Sequence, residues 1–395
     1  MEELGKDENG LEEELNSSLI RECEMSKVII NLTKYKKNLS AVKRIVGKDR
    51  KVIAVVKANA YGHGLVQLAK VAESDGVDMF GVANVEEGVK LRDSGIKKPI
   101  LILLQPNEDE IGELIQYNLT PLISEFDFAR KLSEEATKLR KIVKVHCKVD
   151  TGMGRQGIHI DYAPKEIRNI VHLPSIDLEG VATHFPCAEI ENDGFTENQI
   201  SIFSKLLEDL GKAGIPYELA HCANSAGIIN YPSSYFDAVR PGIITYGVLP
   251  VNNSKARELV SPILRWESKI IQVKTIPKGF TIGYGRTFEA PYDMNVAIVP
   301  VGYADGFKLS LSNKGEVLIG GVRCPVRGNV SMDQIVVELK TNKLVKSGDP
   351  VVIIGKDGDD EITVEEMAQK AGTIPYDILT GIGARVKREY EETGG

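Results

Sequence analysis

The sequence lacks most of the features that mark secreted, membrane and metal-binding proteins. Its five cysteines are scattered through 395 residues without a CxxC pair, which favours free thiols in a reducing compartment over a disulfide framework or a zinc site. No apolar run approaches the roughly 18 residues that a membrane span needs. Residues 1–27 are acidic and polar, without a secretory signal. The formal net charge of −7 argues against a nucleic-acid partner. We expect a cytoplasmic protein with no metal, membrane or nucleic-acid partner.

What remains is an ordinary globular composition, with 42% hydrophobic and 27% charged residues in a chain long enough for two domains. From residue 28 onward, short apolar runs that are typical of buried strands alternate with other segments. Eight such runs are predicted as strands, at residues 52–58, 79–84, 99–105, 119–124, 143–150, 178–185, 217–224 and 238–247.

Segments with helical periodicity lie between these strands, most clearly at residues 85–95, 126–140 and 196–214. The last of them ends in Gly214, a residue suited to capping a helix. Eight strands, each followed by a helix or turn, favour a (β/α)8 TIM-like barrel over residues 28–257. The alternative is an open doubly wound sheet, which usually has fewer strands.

After residue 258 the helical patterns give way to Val- and Ile-rich runs bounded by Gly, Pro and Asn, which predicts a mainly-β domain over 258–395. One short helix is expected at 364–372. The acidic stretch 357–361 is predicted as a hairpin turn, because it lacks the ligand spacing of a calcium-binding loop. Residues 1–27 are predicted as an N-terminal extension, with disorder favoured over a docked helix.

Polar residues interrupt the apolar pattern where the predicted barrel strands end. Active sites of such barrels lie at that edge, and strands seven and eight often build a phosphate-binding cup from hydroxyl groups and Gly-flanked backbone N–H groups. A buried lysine beside such a cup is typical of pyridoxal phosphate (PLP) sites. The strand-end residues are Lys57, Asn59, Tyr61, Lys148, Asp150, Arg155, His184, Asn224, Ser225, Arg240 and Gly242.

Each of these residues also has a purely structural interpretation. A strand-end lysine can extend to solvent, His184 can be a hydrogen-bonded core residue, and Ser225 can cap the next segment.

Residues 152–157, GMGRQG, match the GxGxxG pattern of dinucleotide-binding folds. That match is weak, because no clear helix starts within it and it follows the fifth strand.

Nine short sequence motifs occur in order between residues 55 and 379: VVKANAYGHG, KVDTGMGRQG, VATHF, CANSAG, VRPGIITYG, IGYGRTF, GYADG, NVSMDQ and IPYDIL. With these motifs the chain closely resembles the alanine racemases. That resemblance implies a PLP-binding barrel, a C-terminal β domain and a head-to-tail homodimer with shared active sites. It covers nearly all of the chain except the first 27 residues.

The resemblance also implies roles for individual residues. Lys57 would bind PLP as a Schiff base and act as one catalytic base, and Tyr284 of the partner chain would be the other. Arg240 would contact the pyridine nitrogen, with His184 close by. The residues at the family's phosphate-binding positions are Tyr61, Ser225, Gly242, Ile243 and Tyr376, with Asn224 beside them.

Further positions match residues of the substrate side. Arg155 falls near the cofactor phenolic oxygen and the substrate carboxylate, and Lys148 matches a lysine that is often carbamylated. Met332 and Asp333 of the partner chain match substrate-binding positions, and Tyr303 matches a gate residue. The departures from the family pattern are Pro186, Cys187, Glu189 and Ser331.

The resemblance therefore implies a racemase that interconverts L- and D-alanine and supplies D-alanine for peptidoglycan. The alternatives are a serine, lysine or broad-specificity racemase of the same family, which would use the same catalytic set. A PLP carrier without catalysis would need no second base. A barrel-type PLP decarboxylase would carry other strand-end motifs, which this sequence does not show.

Overall fold

The computed structural model describes residues 25–251 and 254–392. The expected disorder of residues 1–27 therefore concerns a segment that lies almost wholly outside the described residues. Contacts divide the chain into two units: Ile30–Ile263 with the residues from Tyr390 onward, and Leu264–Glu389 with the residues up to Ile29. The domain boundaries at residues 28 and 258 stay a prediction, because units defined by contacts need not be independent domains.

The first unit is a closed barrel of eight parallel strands, as the sequence predicts, and not an open sheet. Each strand pairs with the next along the chain, and the eighth pairs back onto the first through Ala238 and Lys51. The strands are Lys51–Val55, Met79–Val82, Ile100–Ile102, Thr120–Ile123, Val143–Asp150, Ile176–Ala182, Leu219–His221 and Ala238–Val239. We number them one to eight.

Helices and short segments surround the barrel, and the three clearest predicted helices are confirmed as Val85–Asp93, Phe126–Lys138 and Gly194–Lys212. Gly214, just beyond the last of these, has φ +67°, as expected of a residue that ends a helix. The other α-helices are Leu32–Val46, Leu65–Ser74, Ile111–Gln116, Ala163–Val171, Ser225–Asn230 and Ser254–Leu259. Lys57–Tyr61 is a turn with left-handed backbone angles at residues 58–61. The 3-10 turns are Glu108–Glu110, Pro232–Ser234 and Ile243–Tyr246, and a two-residue strand lies at Ile158–His159.

Buried apolar side chains explain why the strand pattern of the barrel is readable in the sequence. Seven strands contribute one member each to a single buried cluster: Ile53, Met79, Leu101, Leu122, Ala182, Leu219 and Ala238. The fifth strand contributes none, and it carries buried polar residues, His146 and Lys148, at alternate positions. The barrel core therefore changes from apolar to polar at this strand.

The second unit is mainly β, as predicted, but its largest sheet also contains a strand from the start of the chain, Ser26–Asn31. In order across the sheet, the strands are Val322–Pro325, Glu316–Ile319, Pro350–Asp357, Leu264–Lys269, Ser26–Asn31 and Lys387–Glu391, with Asp360–Ile362 on Pro350–Asp357. A second sheet consists of Gln272–Ile276, Met294–Val299 and Ile335–Glu338, and a hairpin of Thr281–Ile282 and Phe288–Glu289.

The remaining elements of this unit bear on three predictions. The predicted helix at 364–372 is confirmed as Val364–Ala371, and a second helix, Pro375–Thr380, was not predicted. The predicted hairpin at 357–361 is also confirmed, since Asp357 lies opposite Asp360 in an antiparallel pair. Two 3-10 turns occur at Tyr284–Arg286 and Leu309–Leu311. Among the described residues, no helix is both long and apolar enough to span a membrane.

Candidate active site

Lys57 lies just beyond the first barrel strand and not within it. The predicted strand at 52–58 was too long, because pairing with the second strand ends at Val55 and the chain then turns sharply. Residues 58–61 all have φ between 52° and 54°, a left-handed conformation that costs about 1–2 kcal/mol per non-glycine residue. The side chain of Asn59 braces the turn by accepting a hydrogen bond from the Leu65 N–H at 2.9 Å.

Lys57 is half-buried, and two arginines make its surroundings cationic. Burial lowers the pKa of Lys57, and the positive charges of Arg155 and Arg240 lower it further, while Glu87 opposes them. A lysine in this state loses its proton more readily than an exposed one, which suits an amine that must form a covalent bond or carry a proton.

The end of the fifth strand places Lys148 and Arg155 in the same region. Burial and the neighbouring cations Arg240, Arg155 and Lys57 lower the pKa of Lys148 to about 7. The carboxylate of Asp150 accepts hydrogen bonds from the backbone N–H groups of residues 152, 153 and 154, which wraps the glycine-rich loop around it. This loop leads into the strand Ile158–His159 rather than a helix, so it lacks the helix that a dinucleotide fingerprint requires.

Arg240, at the end of the eighth strand, is buried and fully oriented by the barrel. Its guanidinium donates to the carbonyl oxygens of Thr183, His221 and Cys222 at 2.7, 2.8 and 3.1 Å. Its Nη2 also lies 3.1 Å from Nδ1 of His184. Burial lowers the pKa of Arg240 to about 10, so the group still carries its charge at neutral pH.

His184, beside Arg240, carries no positive charge in this environment. Burial, followed by the charge of Arg240, lowers the pKa of His184 well below its ordinary value. The imidazole is neutral at physiological pH, and its Nδ1 accepts a hydrogen bond from Arg240. His184 can supply a hydrogen bond to a neighbour, whereas the positive charge comes from Arg240.

A chain of buried polar groups leads away from Arg240 and was not predicted. Nη1 of Arg240 contacts Nδ1 of His221, whose Nε2 lies 2.7 Å from Nδ1 of His146, and Nε2 of His146 lies 3.1 Å from Oε2 of Glu179. Lys144 closes the chain with a 2.7 Å ion pair to Glu179. The polar histidines within the apolar strands VKVHCKVD and LAH were the signal for this network.

The donors and acceptors of this network permit one proton arrangement. Arginine only donates, so Nδ1 of His221 must accept and its Nε2 must carry the proton. His146 then accepts at Nδ1 and donates from Nε2 to the carboxylate of Glu179. Burial lowers the pKa of both histidines, which agrees with two neutral rings between one cation and one anion. The network fixes the orientation of the Arg240 guanidinium.

Glu179 gives this network a measurable acid sensitivity. Burial alone raises its pKa, but hydrogen bonds from His146 and Lys144 outweigh burial and lower the pKa to about 2. The folded pKa is depressed, so Glu179 stabilises the protein above its ordinary pKa, and this stabilisation, roughly 3 kcal/mol, is lost as pH falls from 4.5 towards 2.

We predict that Glu179→Gln lowers the melting temperature at pH 7. Plotted against pH, the melting temperature of the variant should converge with that of the wild-type protein below pH 4.5. Parallel curves would contradict this account, and exposed Glu208→Gln is the control.

Ser225 and Gly242, which follow strands seven and eight, lie close together, and Tyr61, which follows the first strand, lies beside Gly242. Oγ of Ser225 accepts hydrogen bonds from the backbone N–H groups of Gly242 and Ile244 at 2.9 and 3.4 Å. A Cβ at Gly242 would lie 2.6 Å from Oη of Tyr61, so only glycine fits there. Asn224 caps the helix Ser225–Asn230 through a 2.9 Å hydrogen bond from the Gly227 N–H. Ile243, on the same turn as Gly242, is buried.

Two aromatic residues that were not predicted, Tyr246 and His63, support the side chain of Tyr61. Tyr246 is fully buried, donates a 2.8 Å hydrogen bond to the Val55 carbonyl, and packs on Tyr61 with ring centroids 5.0 Å apart. The ring of His63 stacks on Tyr246 at 4.6 Å. Both residues lie within motifs singled out in the sequence, but their side chains support Tyr61 through contacts that a linear pattern does not reveal.

The other predicted residues lie in the mainly-β unit. Tyr284 is 77% exposed and lies between Gly283 and Gly285, both at φ +71°. Tyr303 and Met332 lie on adjoining loops, because the Tyr303 N–H donates to the Ser331 carbonyl at 3.1 Å.

Asp333 extends this group of neighbouring loops. It forms a 2.8 Å ion pair with Arg385, which also binds Asp305. Tyr303 and Met332 are both about half exposed. Tyr376 lies on the helix Pro375–Thr380, which the sequence analysis did not predict. The structure thus brings together Tyr303, Met332 and Asp333. Tyr284 lies on a turn that contacts Asn329, three residues before Met332, whereas Tyr376 lies on a separate helix.

The departure at Pro186 and Cys187 is accommodated in the loop after the sixth strand. Sγ of Cys187 lies 2.9 Å from Oδ2 of Asp193, the residue that caps the helix Gly194–Lys212. Glu189 is exposed. The described contacts of Cys187 and Glu189 are with this loop and helix cap rather than with Lys57 or Arg240.

Comparisons with known proteins agree with this geometry. Family models for the alanine racemase N-terminal and C-terminal domains match residues 30–250 and 263–390. The alanine racemase of Carboxydothermus hydrogenoformans is 40% identical over 91% of this chain and 98% of its own length. The solved alanine racemase of Clostridium difficile 630 is 35% identical, with a TM-score of 0.89 over 94% of this chain and 96% of that one. The alanine racemase of Bartonella henselae, solved with covalently bound pyridoxal phosphate, is 28% identical to this chain. Its TM-score is 0.85 over 93% of this chain and 99% of that one.

Proposed function

The chain belongs to the alanine racemase family, and we propose that it interconverts L-alanine and D-alanine with PLP bound through Lys57. The observation that carries this proposal is the pairing of two candidate bases in matched family domains, Lys57 at the barrel mouth and Tyr284 in the mainly-β unit. We further propose that the product supplies peptidoglycan synthesis.

The barrel residues fit PLP by their chemistry. Lys57 offers an amine with a lowered pKa to the cofactor aldehyde. Tyr61, Ser225 and the backbone at Gly242 and Ile243 would hold the phosphate, since glycine lets the Tyr61 hydroxyl approach the backbone that follows the eighth strand. Arg240 would hold the ring nitrogen from the opposite end of the cofactor.

Racemisation needs the Cα proton removed from one face of the substrate and replaced on the other, so two proton carriers on opposite faces are the minimal design. When bound, PLP supplies an electron-withdrawing ring that stabilises the charge left at Cα. Lys57 Nζ and Tyr284 Oη are the proposed carriers, while Arg155 would bind the substrate carboxylate. Met332, Asp333 and Tyr303 would line the substrate side.

Arg240 would influence which reaction follows proton removal. The buried guanidinium keeps its proton at neutral pH, with a pKa of about 10, and the histidine network fixes its orientation. A ring nitrogen facing arginine accepts a hydrogen bond but gains no proton. By donating a hydrogen bond without giving up its proton, Arg240 would favour return of a proton to Cα over side reactions.

The exposure of Tyr284 supports a dimer with shared active sites. A catalytic tyrosine needs a protected environment, yet this side chain is 77% exposed within its own chain. Met332 and Tyr303 are also exposed large side chains of the same unit. We propose that these residues complete the active site of a second copy of the chain in a symmetric homodimer.

Lys148 is the proposed site of carbamylation. Its pKa of about 7 leaves much of the amine unprotonated near neutral pH, and the neutral amine can add carbon dioxide and release a proton. The resulting anion would lie among Arg155, Arg240 and Lys57, whose charges favour it.

We predict a carbamate signal in ¹³C NMR when the protein is equilibrated with ¹³C-bicarbonate at pH 8. Lys148→Gln should lack this signal, and a signal of equal intensity in that variant would contradict the assignment.

The proposed function is tested by incubating the purified, PLP-loaded protein with single L-amino acids and measuring the D-enantiomer by chiral chromatography. We expect L-alanine to be converted faster than L-serine or L-lysine. Equal or faster conversion of L-serine or L-lysine would contradict the assignment of alanine as the preferred substrate. Release of carbon dioxide without racemisation would contradict the proposed reaction class.

A further inference from the structure

We infer that Asn329 positions Tyr284 for proton transfer by anchoring the backbone of its turn. The inference rests on the proposed role of Tyr284 as a base. Nδ2 of Asn329 donates a 2.9 Å hydrogen bond to the carbonyl oxygen of Tyr284 itself. Asn329 is therefore a positioning residue, which acts through the backbone of the catalytic residue and not on the substrate.

The turn that carries Tyr284 needs such an anchor. Gly283, Gly285 and Arg286 all have positive φ, at 71°, 71° and 50°. Glycine on both sides of a residue gives its backbone more freedom than any other neighbour would. The Tyr284 side chain is 77% exposed, so packing within its own chain does little to hold the ring. The direction of the phenol is consequently set by the backbone of this turn.

Asn329 is itself held at both ends of its amide group. Its Oδ1 accepts a 3.1 Å hydrogen bond from Oγ1 of Thr287, which in turn accepts one from Nδ2 of Asn313 at 3.1 Å. Oδ1 of Asn313 accepts a 2.7 Å hydrogen bond from the Gly328 N–H. These bonds form a closed circuit from the turn through Thr287 and Asn313 back to the segment that bears Asn329.

The same segment continues into the loop with the proposed substrate-side residues. Ser331 and Met332 follow Asn329 within three positions, and their carbonyl oxygens accept hydrogen bonds from Tyr303 and Ala304 at 3.1 Å. Asn329 thereby connects the turn of the proposed base to the loop that contacts the substrate. A displacement of about 1 Å in a reacting group can reduce the rate about 100-fold, so this connection has a large predicted effect.

Asn329→Asp tests the inference because it keeps the size and the acceptor of the side chain but replaces the donor with an oxygen that repels the Tyr284 carbonyl. In the PLP-loaded protein in D₂O, Cα deuteration of each alanine enantiomer is followed separately by NMR. We expect deuteration of the enantiomer that depends on Tyr284 to fall about 10- to 100-fold and that of the other to stay within about twofold. The Tyr284-dependent enantiomer is identified with Tyr284→Phe.

A second measurement does not require activity. Amide hydrogen exchange of the peptide 280–288 should become faster in Asn329→Asp, while that of 264–276 should not change. Asn295→Asp is the matched control, because it makes the same change in the same unit at a residue whose Oδ1 accepts from Thr275. It should alter neither readout.

The outcomes separate this inference from the proposed function. Equal loss of deuteration for both enantiomers, or no loss, would overturn the positioning role of Asn329. If Asn329→Asp does not fold, Thr287→Val removes the hydroxyl that orients Asn329 and must give the same one-sided loss, or the inference is wrong. If the wild-type protein racemises no amino acid, the proposed function fails, and unchanged amide exchange of 280–288 would still overturn the positioning role.

Discussion

Tyr284→Phe is expected to reduce alanine racemisation about 10²- to 10⁴-fold, the usual contribution of one general acid–base group. The substitution removes a single hydroxyl and leaves the ring. Because the Tyr284 side chain is 77% exposed, the fold should be unaffected. The equilibrium constant between mirror images is one, so kcat/KM must fall equally in both directions. Tyr292→Phe, at a tyrosine of the same unit that bonds Glu338, is the control for loss of a hydroxyl.

Deuterium exchange reveals which face of the substrate the tyrosine serves. In D₂O, Lys57 alone can still remove the Cα proton of one enantiomer and return deuterium to the same face. We therefore expect Tyr284→Phe to deuterate one enantiomer without inverting it and to leave the other undeuterated. Undiminished exchange in both enantiomers would show that Tyr284 is not a base.

Lys57→Ala is expected to abolish racemisation and the covalent attachment of PLP. The amine of Lys57, whose pKa is lowered by burial and by Arg155, is the proposed point of attachment. The proposed phosphate-binding residues Tyr61, Ser225 and Gly242 contact one another without Lys57, so PLP should still bind without a covalent bond. Borohydride reduction followed by mass spectrometry should find the cofactor on Lys57 in the wild-type chain and on no residue in the variant.

The control for this substitution is Lys51→Ala, at an exposed lysine of the first barrel strand, which ends just before Lys57. Its activity and cofactor attachment should equal those of the wild-type protein. The strongest competing site is Lys148, since its pKa is also lowered. Cofactor fixed to Lys148 in the wild-type chain would overturn the assignment of Lys57.

The barrel and most of its site follow from local sequence patterns. Each strand is a short apolar run because it is buried on both faces, and the polar residues directly after such runs necessarily gather at one edge of the barrel. This reasoning places Lys57, Lys148 and Arg240 together without knowledge of the fold. The same reasoning predicts that Ser225 and Gly242 lie close together, as their 2.9 Å hydrogen bond shows.

The remaining features depend on contacts between distant parts of the chain. Glu179 and His221 are hydrogen-bonded through His146, 33 and 75 residues away respectively, and nothing local marks them as one network. The left-handed turn at 58–61 contains no glycine, so its conformation is not written in its residue types. Likewise, Ser26–Asn31 reads as the beginning of the barrel but pairs within the mainly-β unit.

The central claim is that each active site combines Lys57 of one chain with Tyr284 of another, and heterodimers test it most directly. Chains carrying Lys57→Ala and Tyr284→Phe are coexpressed with different affinity tags, and the mixed dimer is purified through both. One of its two sites then contains an intact pair, whereas the other lacks both groups. We predict about half of the wild-type racemase activity per dimer from two nearly inactive chains. A mixed dimer no more active than its parents would contradict the shared site and place both bases within one chain.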